Sequence, residues 1–559
     1  MALYSIRVSI SMLRKKKSFF VAVGLLSTIQ CHAVEPPLLV QPEPKNQAES
    51  SPNVDVEKMK GEVEVLSSEV IQSIHFSGGT SLELEQLAQD VQILLNQPYS
   101  VELIGQAIEK ITQRFHIAGY PLAFATVKQN DFRDGRLTIT IVEGFVIRSE
   151  LEIPNDTVKH KVRSILQPLL NENPATQASL ERAILLINRI PGYQFDIALP
   201  RPKTISGATS IRIVTRDKTI FEPFIGYSMQ QDSDRNFSLG LRSNINRMSI
   251  NRVTLIGLLP RDNNSDEGYY SVRLEHDIFH NGTLGRLSAS YYTDNEESTL
   301  DIGGVKLAVD NIFERHSVDY VISYPITLNQ TTDFSVSLGV LYEKEDRNYD
   351  VSFNGTSLGN LDDHLDYVIG QISIDMIKRF DNFNFSAGLG VNQSISSAFR
   401  YRSDLETENI YNSDFTFYDL NLSTSYEFIK DYVVSLRANG MFADERIVPS
   451  QRLNYGGLNY GRGYPENTIE GDRGYGTEVK LLQRNKHGNY FFNPYITYDF
   501  AYTERELSTA RTDRISSAAL GVEIGFEANL YVAVDYAKPL KEREYNNDYV
   551  YNLNINWQF

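Results

Sequence analysis

Tyr549-Val550-Tyr551-Asn552-Leu553-Asn554-Ile555-Asn556-Trp557-Gln558-Phe559 is the stretch whose reading decides the fold. Tyr549, Tyr551, Leu553, Ile555, Trp557 and Phe559 share one parity, and Asn552, Asn554, Asn556 and Gln558 share the other. Successive side chains of a strand point to opposite faces, so this segment has one aromatic, apolar face and one polar face. The same alternation sets Phe383, Phe385, Ala387, Leu389 and Val391 against Asn384, Ser386, Gly388, Gly390 and Asn392. It recurs at Phe334, Val336, Leu338, Val340 and Tyr342, and at Tyr432, Val434, Leu436 and Ala438. A soluble sandwich also alternates. Two features favour a membrane barrel: the apolar face turns aromatic towards strand ends, and the sequence stops on Phe559 inside a strand. Trp557 and Phe559 are therefore expected to act as the C-terminal assembly signal of the barrel.

Working backwards, two-residue periodicity holds from near residue 219. Residues 218–559 are the expected barrel; at about 21 residues per strand and connection they make about sixteen strands, an even number as single-chain barrels of this type require. Average polarity does not oppose this. Hydrophobic residues are 41% and mean hydropathy is -0.30, because a barrel hides its lipid face in alternate positions. The 32 Tyr against one Trp suit aromatic girdles, and equally any β-rich secreted protein. A net charge of -17 argues against nucleic acid as a partner.

Before the barrel the period changes to that of helices. Residues 69–144 read as strand 70–76, a turn at Ser77-Gly78-Gly79, helix 82–95, a second helix and two strands, 123–128 and 136–142. Ile104, Ile108, Ile111 and Phe115 form one apolar stripe on the second helix, which Gly119-Tyr120-Pro121 ends. Asp134-Gly135 marks the hairpin turn. Residues 145–217 repeat the order: Val162, Ile165, Leu166 and Leu169 stripe one helix, Leu180, Ala183, Ile184 and Ile187 the next, and Ile190-Pro191-Gly192 closes it. Strands 193–199 and 209–215 follow. The expected fold class is thus an all-β transmembrane barrel preceded by two small α+β domains of order β-α-α-β-β.

At the start, Arg14, Lys15, Lys16 and Lys17 precede an apolar run and then Cys31-His32-Ala33. This reads as an export signal over residues 1–33, cut between Ala33 and Val34. Thr28-Ile29-Gln30 lacks the small residues that lipidation at Cys31 would favour. Cleavage would leave no cysteine, hence no disulfide. Residues 34–68, with Pro36, Pro37, Pro42, Pro44 and Pro52, read as a tether.

No sequence motif for catalysis stands out: there is no Walker loop, no H-E-x-x-H and no G-x-S-x-G. No enzyme activity, cofactor or metal is expected. The informative stretch is glycine-dense, from Tyr455-Gly456-Gly457 through Gly461-Arg462-Gly463-Tyr464 to Gly471-Asp472-Arg473-Gly474. Such density permits positive-φ turns and close backbone packing. In strand 490–502, Ile496, Tyr498, Phe500 and Tyr502 share a parity, so Asp499 faces the lumen, where it could hold an arginine brought in by an infolded loop.

These features resemble the two-partner secretion transporters, the haemolysin secretion/activation (ShlB/FhaC/HecB) family, relatives of the barrel-assembly protein BamA. Gly119-Tyr120, Val142-Glu143-Gly144 and Ile190-Pro191-Gly192 resemble its marks in two polypeptide-transport-associated (POTRA) domains. Gly461-Arg462-Gly463-Tyr464 resembles the V/I-R-G-Y/F tip of its sixth loop, and Asp499 fits the aspartate that this tip meets. The chain departs from the family with Gly461 for Val or Ile, Ala501 two residues after Asp499 where Gly is usual, and no Asp-Asn-x-Gly near residues 226–229. The resemblance implies an outer-membrane translocator with periplasmic N-terminal domains that secretes a partner protein, a large β-helical exoprotein. Membrane lipid and, during biogenesis, the barrel-assembly machinery are the other expected partners, and the monomer is the expected state. The alternatives are an assembly factor for other outer-membrane proteins and a passive porin.

Overall fold

A computed structural model of the chain describes residues 70–128, 131–231, 235–259, 268–302, 305–402, 414–458, 460–505, 511–526, 529–541 and 549–559. The expected signal, its Ala33–Val34 cleavage point and the tether lie outside the described residues.

Residues 70–144 form β1 (Ser73–Ser77), α1 (Leu84–Val91), α2 (Val101–Ile117), β2 (Phe124–Thr126), β3 (Phe132–Arg133) and β4 (Arg136–Val142). Strand β1 lies parallel to the central β4, with β2 and β3 also on β4. The helix expected over residues 82–95 is shorter, its last turn tightening to 3₁₀ over Gln92–Leu94. Ser100 caps α2 by accepting from Leu103 N, and the predicted stripe puts Ile104, Ile111 and Phe115 into the core with Ile108 at its edge. At the β3–β4 turn Asp134 and Gly135 both take positive φ, as a tight hairpin with right-handed strand twist requires.

The second domain repeats the plan with β5 (Phe145–Glu152), α3 (Asp156–Leu170), α4 (Gln177–Asn188), β6 (Tyr193–Ala198) and β7 (Ala208–Lys218), in sheet order β5-β7-β6. Asn155 and Thr176 cap its helices. Three sequence marks fall on junctions. Glu143 accepts from the backbone N–H groups of Thr80 and Ser81 in the first domain, and Gly144 O from Ala175 N in the second. Gly119 O accepts from Gln177 N. Pro191 O accepts from Asn246 of the first turn on the barrel's near rim, and Gly192 O from Thr219 N.

The barrel closes with sixteen antiparallel strands. They are β8 (Phe221–Gln230), β9 (Arg235–Ser243), β10 (Ile250–Leu259), β11 (Gly268–Asp277), β12 (Leu284–Ile302), β13 (Val305–Leu328), β14 (Thr332–Phe353), β15 (Thr356–Arg379), β16 (Phe383–Arg402), β17 (Thr416–Ile429) and β18 (Tyr432–Ala443). After short loop strands β19 (Leu453–Tyr455) and β20 (Ile469–Gly471) come β21 (Arg473–Gln483), which the two-residue β22 (Lys486–His487) continues on the same neighbour and so shares one place in the ring, then β23 (Tyr490–Arg505), β24 (Arg511–Phe526), β25 (Leu530–Pro539) and β26 (Val550–Gln558). Strand β26 pairs with β8 to close the ring. Leu338, Val340, Ile372, Leu389, Ile496 and Leu520 stand exposed on the outer face, an apolar belt suited to lipid. Aromatic pairs edge it: Trp557–Phe559 and Tyr490–Phe526 on the domain side, Tyr536–Tyr551 and Tyr475–Tyr502 on the far side. Strands β12–β16, at 19 to 24 residues, outrun the 10 residues of β8, β10 and β11, so one wall is tall and the other short.

The second domain is fixed to the near rim of the barrel by side chains. Lys161 pairs with Asp277 at 2.6 Å, Arg189 with Asp333 at 2.5 Å, and Arg182 donates to the carbonyls of Asn281 and Pro325. Leu328, at the end of β13, is buried in that domain's core.

Candidate functional site

Between β18 and β21 the chain does not cap the barrel but enters it. Strands β19 and β20 pair as the stem of this loop. At its base Arg452 Nε and Ile447 N both donate to Asp472 Oδ1, at 3.0 and 3.2 Å. The base also reaches the tall wall. Ser450 Oγ lies 2.7 Å from the Tyr367 hydroxyl on β15, and Gln451 donates to Glu343 on β14 at 2.6 Å. Tyr367 bonds to Glu343, which Arg315 approaches at 3.6 Å.

The tip lies against the opposite wall. Gly456 N donates to Tyr460 O and Gly457 N to Tyr464 O, folding the tip back on itself. Gly456, Gly457, Tyr460 and Gly461 all have positive φ. Gly461 has φ 126, and a Cβ there would fall 2.5 Å from Ile515 Cδ1. This accounts for the departure from Val or Ile at that position, since a β-branched residue is strained in this region. A Cβ on Gly463 would fall 2.5 Å from Pro539 N, so this glycine permits direct approach to β25.

Arg462, only 8% exposed, is held from two sides. Its Nε and Nη2 donate to Glu478 Oε2 on β21 at 3.1 and 2.7 Å, and its Nη1 donates to Asp535 Oδ2 on β25 at 2.8 Å. Glu478 is also bonded by Arg437, and Asp535 by Tyr495 and Asn552. The expected Arg462–Asp499 pair is thus corrected: the guanidinium bonds go to Glu478 and Asp535. Asp499 does face the lumen and is fully buried, but it accepts from Ser517 Oγ at 2.6 Å, and Ser517 Oγ accepts from Gly463 N at 3.1 Å. Asp499 therefore meets the tip at its main chain, through Ser517 to Gly463 N and beside the Arg462 N–H, and not at the guanidinium. Tyr464 completes the contact, donating to Lys541 O at 2.7 Å.

Register explains the geometry. Glu478, Asp499 and Ser517 share one rung across β21, β23 and β24. Asp535, Asn552 and Gln230 share another across β25, β26 and β8. The arginine side chain contacts one member of each rung. The profile of the haemolysin secretion/activation protein family ShlB/FhaC/HecB matches residues 241–524, and that of the ShlB-type POTRA domain matches residues 70–144. The chain belongs to the ShlB/FhaC/HecB family. No curated protein matches it in sequence. Its fold is similar to that of CdiB from Escherichia coli, at 13% identity, TM-score 0.62, and coverage of 90% of this chain and 93% of that one. CdiB from Acinetobacter baumannii gives 12% identity, TM-score 0.59, and coverage of 90% and 92%. This ShlB/FhaC/HecB member is thus an outer-membrane barrel of the two-partner secretion class.

The sequence reading names Gly461, Arg462, Gly463, Tyr464 and Asp499, with Asp499 as the arginine's partner; Glu478 and Asp535, which hold the guanidinium, and Ser517, Gln230 and Asn552, which contact the tip's main chain, are not among its site residues. Lumenal parity of Glu478 and Asp535 was the available signal, since Val479 and Val534 beside them face outward. Among the described residues no cluster of His, Cys, Asp and Glu could hold a metal ion.

Proposed function

We propose that this protein receives an unfolded exported partner at its two N-terminal domains in the periplasm and passes it through the barrel, with the infolded loop as the gate. The loop crossing the lumen from the tall wall to Arg462's site carries this reading. A passage held shut by reversible ionic hydrogen bonds can open without a covalent step. Strands β1 and β5, each paired on one side only among the described residues, offer edges to which an extended client can add a strand. The client expected is a large β-helical exoprotein whose folding outside draws it forward.

The test is deletion of the gene, followed by comparison of surface and medium proteomes with the wild type, and restoration with the wild-type or the Arg462→Ala chain. Loss of one or a few large surface proteins, with their fragments left in the periplasm, is the expected result. A broad fall in unrelated outer-membrane proteins would replace this reading with that of an assembly factor.

A further inference from the structure

The outer face of the barrel is not electrically uniform at its far rim. Arg473 on β21 shares the parity of the exposed Tyr475 and Val479, Arg514 on β24 that of Leu520, and Lys538 on β25 that of Val534 and Tyr536. All three basic residues therefore point to the lipid side, not to the lumen. Each also sits beside a ring of the far aromatic band. Arg473 Cζ lies 5.4 Å from the ring centre of Phe442, Lys538 Nζ lies 5.3 Å from that of Tyr549, and Arg514 stands opposite Tyr502 in register. The chain as a whole carries a charge of -17, so cations gathered on its lipid face run against its composition. Outward of the rings on the tall wall, the same face carries Glu314, Asp346 and Asp366 against Lys344 and His364.

We propose that the arc from β21 to β25 binds a phosphorylated glycolipid of the outer leaflet, with Arg473, Arg514 and Lys538 on its phosphate groups and the adjoining rings on its sugars. The inference stands apart from the infolded loop and from whatever passes through the lumen. Three strand spacings separate β21 from β25, roughly 15 Å, which lets one disaccharide headgroup with a phosphate at each end touch both margins. Two arginines supply planar forks for phosphate oxygens, and the lysine adds a point charge. Basic residues at the edge of a membrane span hold anionic headgroups in this way, with the apolar belt below taking the acyl chains. The carboxylates of the tall wall repel the same headgroup, so the lipid collects on the short wall. Glu504, opposite Arg473 in register, opposes the three cations and gives the proposal a sign that can be tested.

The experiment is native mass spectrometry of the full chain released from phosphatidylcholine nanodiscs that contain lipid A with two phosphates, counting retained lipid A. Each basic residue removed should weaken retention about fivefold, so Arg473→Gln/Arg514→Gln/Lys538→Gln should lose about 100-fold. Glu504→Gln should strengthen retention, and Lys344→Gln on the tall wall should leave it unchanged. Lipid A stripped of both phosphates should bind the wild type no better than intact lipid A binds the triple variant. Heat-dependent mobility in electrophoresis checks that each variant has a closed barrel, and Lys538→Gln alone, about fivefold weaker, carries the test if the triple variant does not assemble. Undiminished retention in these variants, or an equal loss in Lys344→Gln, would overturn the site. Displacement of the lipid by inorganic phosphate as effectively as by added lipid A would make it a site for a free anion and overturn the lipid assignment.

Discussion

Truncation of Arg462 to alanine removes the three guanidinium hydrogen bonds that hold the loop tip, two to Glu478 and one to Asp535. Breaking a buried ion pair costs about 3–5 kcal/mol when the abandoned charge has nothing else. Here the abandoned charges are not bare. Glu478 keeps Arg437, at 2.8 Å, and Asp535 keeps Tyr495, at 2.8 Å, and Asn552, at 2.7 Å. The loss is therefore set nearer to that of charge-assisted hydrogen bonds, about 2–3 kcal/mol. That raises the ratio of open to closed loop by about 30- to 150-fold. Conductance of the purified full chain in planar bilayers reads this directly as the fraction of time open, with barrel yield in membranes as the control for folding. Arg462→Lys should recover only part of the closure, because a single ammonium cannot span both carboxylates as a planar fork does. If Arg462→Ala and Asp535→Asn both leave the open fraction at the wild-type value while the barrel assembles normally, the ionic contacts do not hold the loop and the reasoning fails.

Gly461→Val restores the residue more usual in the family, yet it should destabilise the tip by about 1–3 kcal/mol because of the positive φ; bilayer recordings should show more opening, and tight closure would refute the strain. Gln451→Leu combined with Tyr367→Phe should free the loop base from the tall wall while Arg462 still holds the tip, which a rise in exchange for residues 447–452 but not 461–464 would verify. In the first domain the hydrogen bond from Arg114 holds Asp90 below the ordinary carboxylate range. A depressed folded value means that this stabilisation is present above the unfolded value and is lost as pH falls through the folded one. Asp90→Asn should therefore cost under about 1 kcal/mol at neutral pH, since the arginine is partly exposed, and the gap from wild type should close in strong acid, as followed by helical circular dichroism on heating.

Alternation at Tyr549–Phe559 and Phe383–Asn392 placed side chains correctly because face is a local property of a strand. Helix stripes in the two domains were legible for the same reason, Ile104–Phe115 and Val162–Leu169 entering the cores as spaced. The partner of Arg462 was not legible. Parity puts Glu478, Asp499 and Asp535 all inside the lumen but says nothing of height, and height follows from register and barrel shear. Asp499 and Glu478 occupy one rung, so the sequence offered no means of ranking them. Gln230 and Asn552 were further out of reach, since 322 positions separate them and only ring closure makes them neighbours.

The group that ties Gln230 to Asn552 is the main-chain oxygen of Arg462, to which both amides donate, and every amino acid carries one. No replacement at position 462 deletes it, and an alignment column for that position would register the charge while leaving this contact invisible. What evolution can act on is the path that delivers the oxygen: Gly461 and Gly463 on either side, and the two amides that receive it. In this chain a Cβ at either glycine would meet the wall, Ile515 Cδ1 from position 461 and Pro539 N from position 463, and so would hold that oxygen away from the two amides.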